Sequence, residues 1–88
     1  MMVRVSGALL RFTDYRRVIN VPAATVEAGL TELAEQYRPL RAVLFDRAGR
    51  VRAAHKIFLN GEQLQRDELT RAADDTDSLD LLLAISGG

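Results

Sequence analysis

The sequence predicts an α+β fold in which one main helix packs on one face of a mixed sheet of four or five strands. Three observations lead to this prediction. Residues 25–37 carry apolar side chains at helical spacing. Residues 3–9 alternate between apolar and other residues, and residues 78–85 form an apolar stretch in which Leu79, Leu81 and Leu83 would share one face of a strand. Asn60-Gly61, a pair typical of tight hairpin turns, stands between two apolar stretches. The predicted order is two strands, one helix, and then two or three strands.

In the first half of the chain, residues 3–9 predict a strand, with Gly7 marking a bulge or a close approach within it. Residues 15–21 are rich in β-branched side chains and predict a second strand, paired with the first as a hairpin. The helix follows at residues 25–37, where Thr25 is the expected N-cap. Pro39 is expected to fix the end of this helix.

In the second half, residues 39–45 predict a short apolar connector with one helical turn, and residues 42–46 and 51–54 predict a loose pairing. A hairpin is centred on Asn60-Gly61, and residues 65–78 predict a loop with a short turn of helix. Residues 78–85 predict the last strand, placed beside the first in the middle of the sheet. The predicted core consists of Val3, Val5, Ile19, Val26, Leu30, Leu33, Ile57, Leu59, Leu79, Leu81 and Leu83.

Composition limits the classes of function that are possible. The chain has 88 residues, of which 48% are apolar, so a single domain over residues 1–88 with a packed core is expected. Cysteine is absent, which excludes disulfides, thiolate metal sites and cysteine nucleophiles. A net charge of zero argues against nucleic acid as a partner. No apolar run could span a bilayer, and we expect a monomeric, cytoplasmic protein without membrane contact.

The sequence offers few candidates for catalysis or metal binding. No serine or carboxylate can be assigned to His55, the only histidine, so a structural or solvated role is favoured over a catalytic one. The acidic residues 74–77 lack the glycine and terminal glutamate of a calcium loop, and no metal site is predicted. The arginine-rich residues 38–52 are interpreted as a solvated surface, with binding of an acidic partner as the alternative.

The end of the chain, SLDLLLAISGG, is the most informative segment. Glycine has no Cβ, so Gly87 and Gly88 form a narrow thread that can enter a tight channel in another protein. Residues 85–88 could reach about 13 Å, at about 3.3 Å per residue. The thread would deliver one reactive group, the terminal carboxylate, which is ionised at neutral pH and needs activation before a nucleophile can attack it. An acyl-adenylate made from ATP would supply that activation.

With these features, the chain resembles the ubiquitin-like β-grasp sulfur carriers of the ThiS/MoaD family over nearly its whole length. The resemblance is carried by the element order, by LNGEQL at 59–64, by DDTDSL at 74–79 and by AISGG at 84–88. The insert PLRAVLFDRAGRVRAAH at 39–55 is longer than ThiS would need, so the chain is nearest the MoaD-like and CysO-like members.

The resemblance implies a carrier protein rather than an enzyme, with no bound cofactor. A ThiF/MoeB-type adenylating enzyme would use ATP to activate Gly88, and a sulfur donor would convert it to a thiocarboxylate. A downstream synthase would then accept the sulfur for a cofactor, cysteine, thiolated tRNA or a sulfur-containing natural product. The implied site residues are Gly88 as the acyl carrier; Gly87, Ser86 and Ile85 as the threading segment, with residues 86–88 flexible; and Leu82, Ala84 and Phe58 as the partner interface.

Two alternatives remain open at this point. The first is a ubiquitin-like modifier joined through Gly88 to lysines of other proteins, which shares the adenylation step and differs in the nucleophile. The second is a β-grasp binding module whose glycines are only a frayed end.

Overall fold

The computed structural model describes residues 1–83 and shows a five-stranded sheet with helices on one face. In chain order, the main elements are β1 (Met2–Val5), β2 (Val18–Asn20), α1 (Val26–Gln36), α2 (Arg38–Leu44), β3 (His55–Leu59), β4 (Glu62–Leu64) and β5 (Ser78–Leu83). Two 3₁₀ helices, Gly7–Phe12 and Arg66–Glu68, lie between them. The predicted single domain over residues 1–88 and its flexible segment at 86–88 extend beyond the described residues.

The last strand occupies the middle of the sheet, whose strand order is β2-β1-β5-β3-β4. β5 runs parallel to β1 and antiparallel to β3, and the two hairpins β1–β2 and β3–β4 form the sides. Leu81 is in register with Val5 on one side and with Ile57 on the other. This confirms the prediction of a mixed sheet with the first and last strands side by side at its centre.

The main helix is confirmed to within a residue at each end. The Thr25 side chain accepts a hydrogen bond from the Ala28 N–H at 3.1 Å, which satisfies one of the free N–H groups of the first turn. Leu30 and Leu33 are fully buried against the sheet. A Cβ at Gly29 would overlap the end of the buried Met1 side chain, so a larger residue there would require Met1 to move.

The first two strands are shorter than predicted. The strand expected at 3–9 ends at Val5, because Gly7 adopts a left-handed φ of 63° and turns the chain into the 3₁₀ helix Gly7–Phe12. Leu9 is fully buried from within that helix rather than from a strand. Asp14 and Tyr15 also have positive φ values, so the second strand begins only at Val18.

The connector after α1 is a second helix of seven residues, longer than the single turn predicted. Pro39 lies in the first turn of α2, where a helix has no hydrogen bond for a backbone N–H to lose. Leu40 and Leu44 turn into the core and are fully buried. The predicted loose pairing of 42–46 with 51–54 is reduced to one bridge between Phe45 and Val51.

The Asn60-Gly61 turn is confirmed, and it also anchors the central strand. Both residues have positive φ, at 51° and 87°, as a type I′ turn requires. The Asn60 side chain donates to the Asp77 carboxylate at 2.8 Å and accepts from the Ser78 N–H at 2.9 Å. The hairpin turn is therefore fastened to the start of β5.

One hydrophobic core lies between the sheet and the helices. Every predicted core residue is buried except Leu83, which is half-buried and packs against the core. The core also contains residues that were not predicted: Met1, Leu9, Val21, Leu40, Leu44, Val51, Leu64 and Leu69. Within residues 1–83, none of the helices is long and apolar enough to cross a membrane.

Candidate functional site: the open sheet face and the end of β5

The C-terminal segment continues from the middle of the sheet. β5 is described as far as Leu83, which pairs with His55 at the start of β3. Because β5 is parallel to β1, the C-terminal ends of these two strands lie at the same end of the sheet. The predicted site residues Ala84, Ile85, Ser86, Gly87 and Gly88 lie outside the described residues.

Three of the four large apolar side chains that are exposed among residues 1–83 lie on the sheet face opposite the helices. Leu82, Met2 and Val18 project from it and are 37%, 37% and 50% exposed. Phe58 lies on the same face and is half-buried. The alternation of β5 and of β3 therefore places Leu82 and Phe58 on the open face, as predicted. Exposed apolar residues grouped on one sheet face are typical of an interaction site.

Charged side chains interrupt this apolar face at fixed register positions. Lys56 lies directly opposite Leu82, and Phe58 lies opposite Asp80. Arg4, the neighbour of Asp80 on β1, places its Nε 3.1 Å from the Asp80 carboxylate. The face thus combines apolar side chains with an ion pair, the mixture found in many non-obligate interfaces.

Sequence reasoning missed Met2, Val18 and the Arg4–Asp80 pair. Part of the information needed to place the Arg4–Asp80 pair was present in the sequence. Once β1 and β5 are placed side by side in parallel, alternation puts Arg4 and Asp80 on the open face, and only the register was needed to bring them together. Val18 could not be assigned without knowing where the short β2 begins.

His55 is half-buried and pairs with Leu83, the last described residue before the C-terminal segment. Its Nδ1 lies 3.3 Å from the Arg52 carbonyl oxygen, to which a protonated Nδ1 can donate a hydrogen bond. Its Nε2 is buried and has no hydrogen-bond partner among residues 1–83. Burial lowers the pKa of His55 below its ordinary value of 6.5, and the Arg52 charge adds to this, while the hydrogen bond to the Arg52 carbonyl opposes it.

Stability is expected to depend on pH through His55. The unfolded chain takes up this proton near pH 6.5 and the folded chain only at lower pH. The free energy of unfolding is therefore expected to fall as the pH is lowered from about 8 to about 5. Urea unfolding should show this fall in the parent chain, a flatter profile in His55→Gln, and the parent profile in the exposed neighbour variant Lys56→Gln. A parent-like slope in His55→Gln would contradict the assignment.

The acidic cluster at 74–77 stabilises a turn through local hydrogen bonds. Asp74 Oδ1 accepts hydrogen bonds from the Thr76 N–H and hydroxyl, at 2.9 and 2.6 Å, and Asp77 Oδ2 accepts from the Asp74 N–H at 2.8 Å. Over the described range 1–83, no group of three or more histidines, cysteines or carboxylates could hold a metal ion. These carboxylates therefore stabilise the turn that precedes β5.

Comparison with known proteins gives similarity at the level of structure. No family model matches the sequence, and no curated protein matches it significantly. SAMP1 from Haloferax volcanii superposes with a TM-score of 0.87 at 24% identity, covering 99% of this chain and 97% of that one. The Amycolatopsis orientalis BexX/CysO complex matches with a TM-score of 0.85 at 20% identity, covering 99% and 98%.

CysO from Mycobacterium tuberculosis matches with a TM-score of 0.81 at 23% identity, covering 96% of this chain and 98% of that one. These matches span almost the full length of both partners. The identities are low, so the likeness concerns the arrangement of the backbone. Together with the five-stranded mixed sheet, it shows that the chain has the β-grasp fold of ubiquitin-like proteins.

Proposed function

We propose that this protein is a monomeric sulfur carrier that acts in the cytoplasm and is a substrate of an adenylating enzyme rather than an enzyme itself. One observation carries the proposal: the sequence Ala-Ile-Ser-Gly-Gly follows directly on the central strand of a β-grasp sheet. A rigid strand thereby leads to two residues without side chains, of which the second would present its α-carboxylate.

The proposed chemistry takes place on the carboxylate of Gly88. A carboxylate oxygen attacks the α-phosphate of ATP, pyrophosphate leaves, and an acyl-adenylate forms. Sulfide then attacks the acyl carbon, and AMP leaves with one oxygen of the original carboxylate. Alternatively, a persulfide attacks the acyl carbon with the same loss of AMP, and a thiol then reduces the resulting acyl disulfide. The product is a thiocarboxylate whose sulfur is passed to a downstream synthase. All catalytic groups belong to the partners, and this chain contributes a threadable acyl group and a docking surface.

The names of the structural neighbours support a carrier with a protein partner. One match is a complex of CysO with BexX, and another is CysO alone. A third group consists of small archaeal modifier proteins, which supports the modifier as a second candidate. In that case a lysine amine replaces sulfide as the nucleophile, AMP leaves in the same way, and an isopeptide bond forms at Gly88.

The proposed function is tested by intact-mass measurement. The chain is incubated with ATP, sulfide and a ThiF/MoeB-type adenylating enzyme from a related bacterium, with ATP omitted as the control. We expect a mass gain equal to the replacement of one oxygen by sulfur. A conjugate with a lysine-bearing protein under the same conditions would favour the modifier. No change with several such enzymes that thiolate their own carriers would contradict both.

Leu82→Asp is expected to weaken adenylation without disrupting the fold. A carboxylate at this position would have to be desolvated against an apolar partner surface, which we expect to lower affinity about tenfold or more. In the free chain, the new charge would lie opposite Lys56 and remain in water.

The affinity for the adenylating enzyme is measured by calorimetry, with thermal unfolding as the check on folding. Ala28→Asp is the matched control, because Ala28 is exposed on α1 in the helical layer and lies on the other side of the sheet. Unchanged affinity of a folded Leu82→Asp chain would remove Leu82 from the interface.

A further inference from the structure

An open groove of about 810 Å³ lies in the helical layer, between α1, α2 and residues 45–52. Four arginines, Arg38, Arg41, Arg47 and Arg52, are among the residues that line it. The groove is on the side of the sheet that the helices cover, so it is separate from the face that carries Leu82. It gathers most of the arginine-rich stretch into one surface.

The charge of this groove is only partly neutralised. Glu35 is shared by two arginines, at 3.6 Å from Arg41 and 4.0 Å from Arg38. Arg52 Nε donates to the Ala42 carbonyl at 3.1 Å, which holds that guanidinium in place while its terminal nitrogens remain available. Within residues 1–83, neither Arg47 nor Arg52 forms an ion pair.

The second carboxylate in the lining is already engaged by the backbone. Asp46 Oδ1 accepts hydrogen bonds from the N–H groups of Ala48 and Arg50, at 2.9 and 3.0 Å. The bond from Arg50 is the main reason that the pKa of Asp46 lies below its usual range. Asp46 therefore stabilises its own turn, and the groove presents four guanidinium groups against two occupied carboxylates.

Part of the groove lining between the arginines is apolar. Ala34, Ala42 and Phe45 line the groove, and Phe45 is half-buried. The volume lies within the range of about 300–1,000 Å³ that is usual for ligand sites. A guanidinium binds a carboxylate through two parallel hydrogen bonds, and an apolar floor favours a ligand with apolar side chains between its charges.

We propose that this groove docks an acidic peptide segment of a second protein, one in which carboxylate side chains alternate with apolar ones. Nucleic acid fits less well, because the chain has no net positive charge and the groove floor offers little aromatic surface for stacking. The groove and the open sheet face are on opposite sides, so the chain can hold such a segment while its C-terminal glycines are engaged elsewhere.

The test uses a defined probe, a short peptide blocked at both ends in which glutamate alternates with leucine or valine. It is titrated into the full chain at low ionic strength, with binding measured by calorimetry and located by amide chemical shifts. We expect saturable binding, with shifts in α1, α2 and residues 45–52. Arg41→Glu/Arg47→Glu is expected to weaken binding about tenfold or more, since two charge pairs become repulsive.

Arg16→Glu/Arg17→Glu is the matched control, because it makes the same change in net charge outside the groove and should weaken binding much less. Equal weakening by both variants would show a net-charge effect and overturn the site. Equal binding of polyglutamate would overturn the role of the apolar floor. Binding of single-stranded polyuridylate at the groove, with no binding of the peptide, would overturn the choice of partner. The mass assay on Gly88 is independent of all these outcomes.

Discussion

A chain that lacks Gly88 is expected to gain no sulfur when it is incubated with ATP, sulfide and the adenylating enzyme. The deletion moves the α-carboxylate one residue back along the thread, by about 3.3 Å. Adenylation requires the carboxylate and the α-phosphate in a near-attack geometry, and a misplacement of about 1 Å can already cost about a hundredfold in rate. Intact mass after incubation measures the outcome, and the unfolding temperature should not change.

Gly87→Val tests whether the C-terminal thread must be narrow, without changing its length. The carboxylate of Gly88 keeps its place in the sequence, while a β-branched side chain adds bulk and restricts the backbone next to it. Loss of about a hundredfold or more in thiocarboxylate formation is expected. Full activity of the Gly88-deleted chain would contradict Gly88 as the acyl carrier, and full activity of Gly87→Val would contradict the requirement for a narrow thread.

Leu81→Ala is expected to lower the free energy of unfolding by about 2–5 kcal/mol, the usual cost of truncating a buried leucine. Leu81 is fully buried on the central strand, in register with Val5 and Ile57. The methyl groups removed would leave a cavity that strands bonded on both sides cannot easily close. At about 4–8 °C per kcal/mol for a domain of this size, the unfolding temperature is expected to fall by about 10 °C or more.

The neighbouring substitution Leu82→Ala is the matched control. It removes the same atoms from the next residue of the same strand, but Leu82 is 37% exposed on the open face. A cost of about 1 kcal/mol or less is expected. Urea unfolding of the two variants side by side measures the difference, and equal costs would mean that the two faces of β5 are not assigned correctly.

The elements that could be predicted from the sequence were those with a regular pattern or a local chemical signal. The period of α1, the Thr25 cap and the Asn60-Gly61 turn depend on neighbouring residues and were confirmed. The strand predicted at 3–9 was wrong beyond Val5, because apolar alternation continues into residues that a left-handed Gly7 turns into a 3₁₀ helix. The prediction that α1 ends before Pro39 was confirmed, but the length of α2 was missed, since proline also suits the first turn of a helix.

The candidate site was predictable to the extent that it follows from alternation along one strand. Leu82 and Phe58 could be placed on the open face because Leu81 and Ile57 must face the core. The arginine groove could not be predicted, because it requires the length of α2 and the return of residues 45–52 against it. The structural role of Asp74 and Asp77 likewise depends on a turn geometry that the acidic sequence does not reveal.

The position of β5 has a consequence for how the chain folds. The sheet has two hairpins that can form locally, yet its centre is filled by the strand that follows them in sequence, and Met2 must find Ser78 across nearly the whole described chain. Such long-range pairing is a slow kind of contact, because loop-closure entropy is lost before it forms. During synthesis on the ribosome, the two halves remain unjoined until β5 emerges.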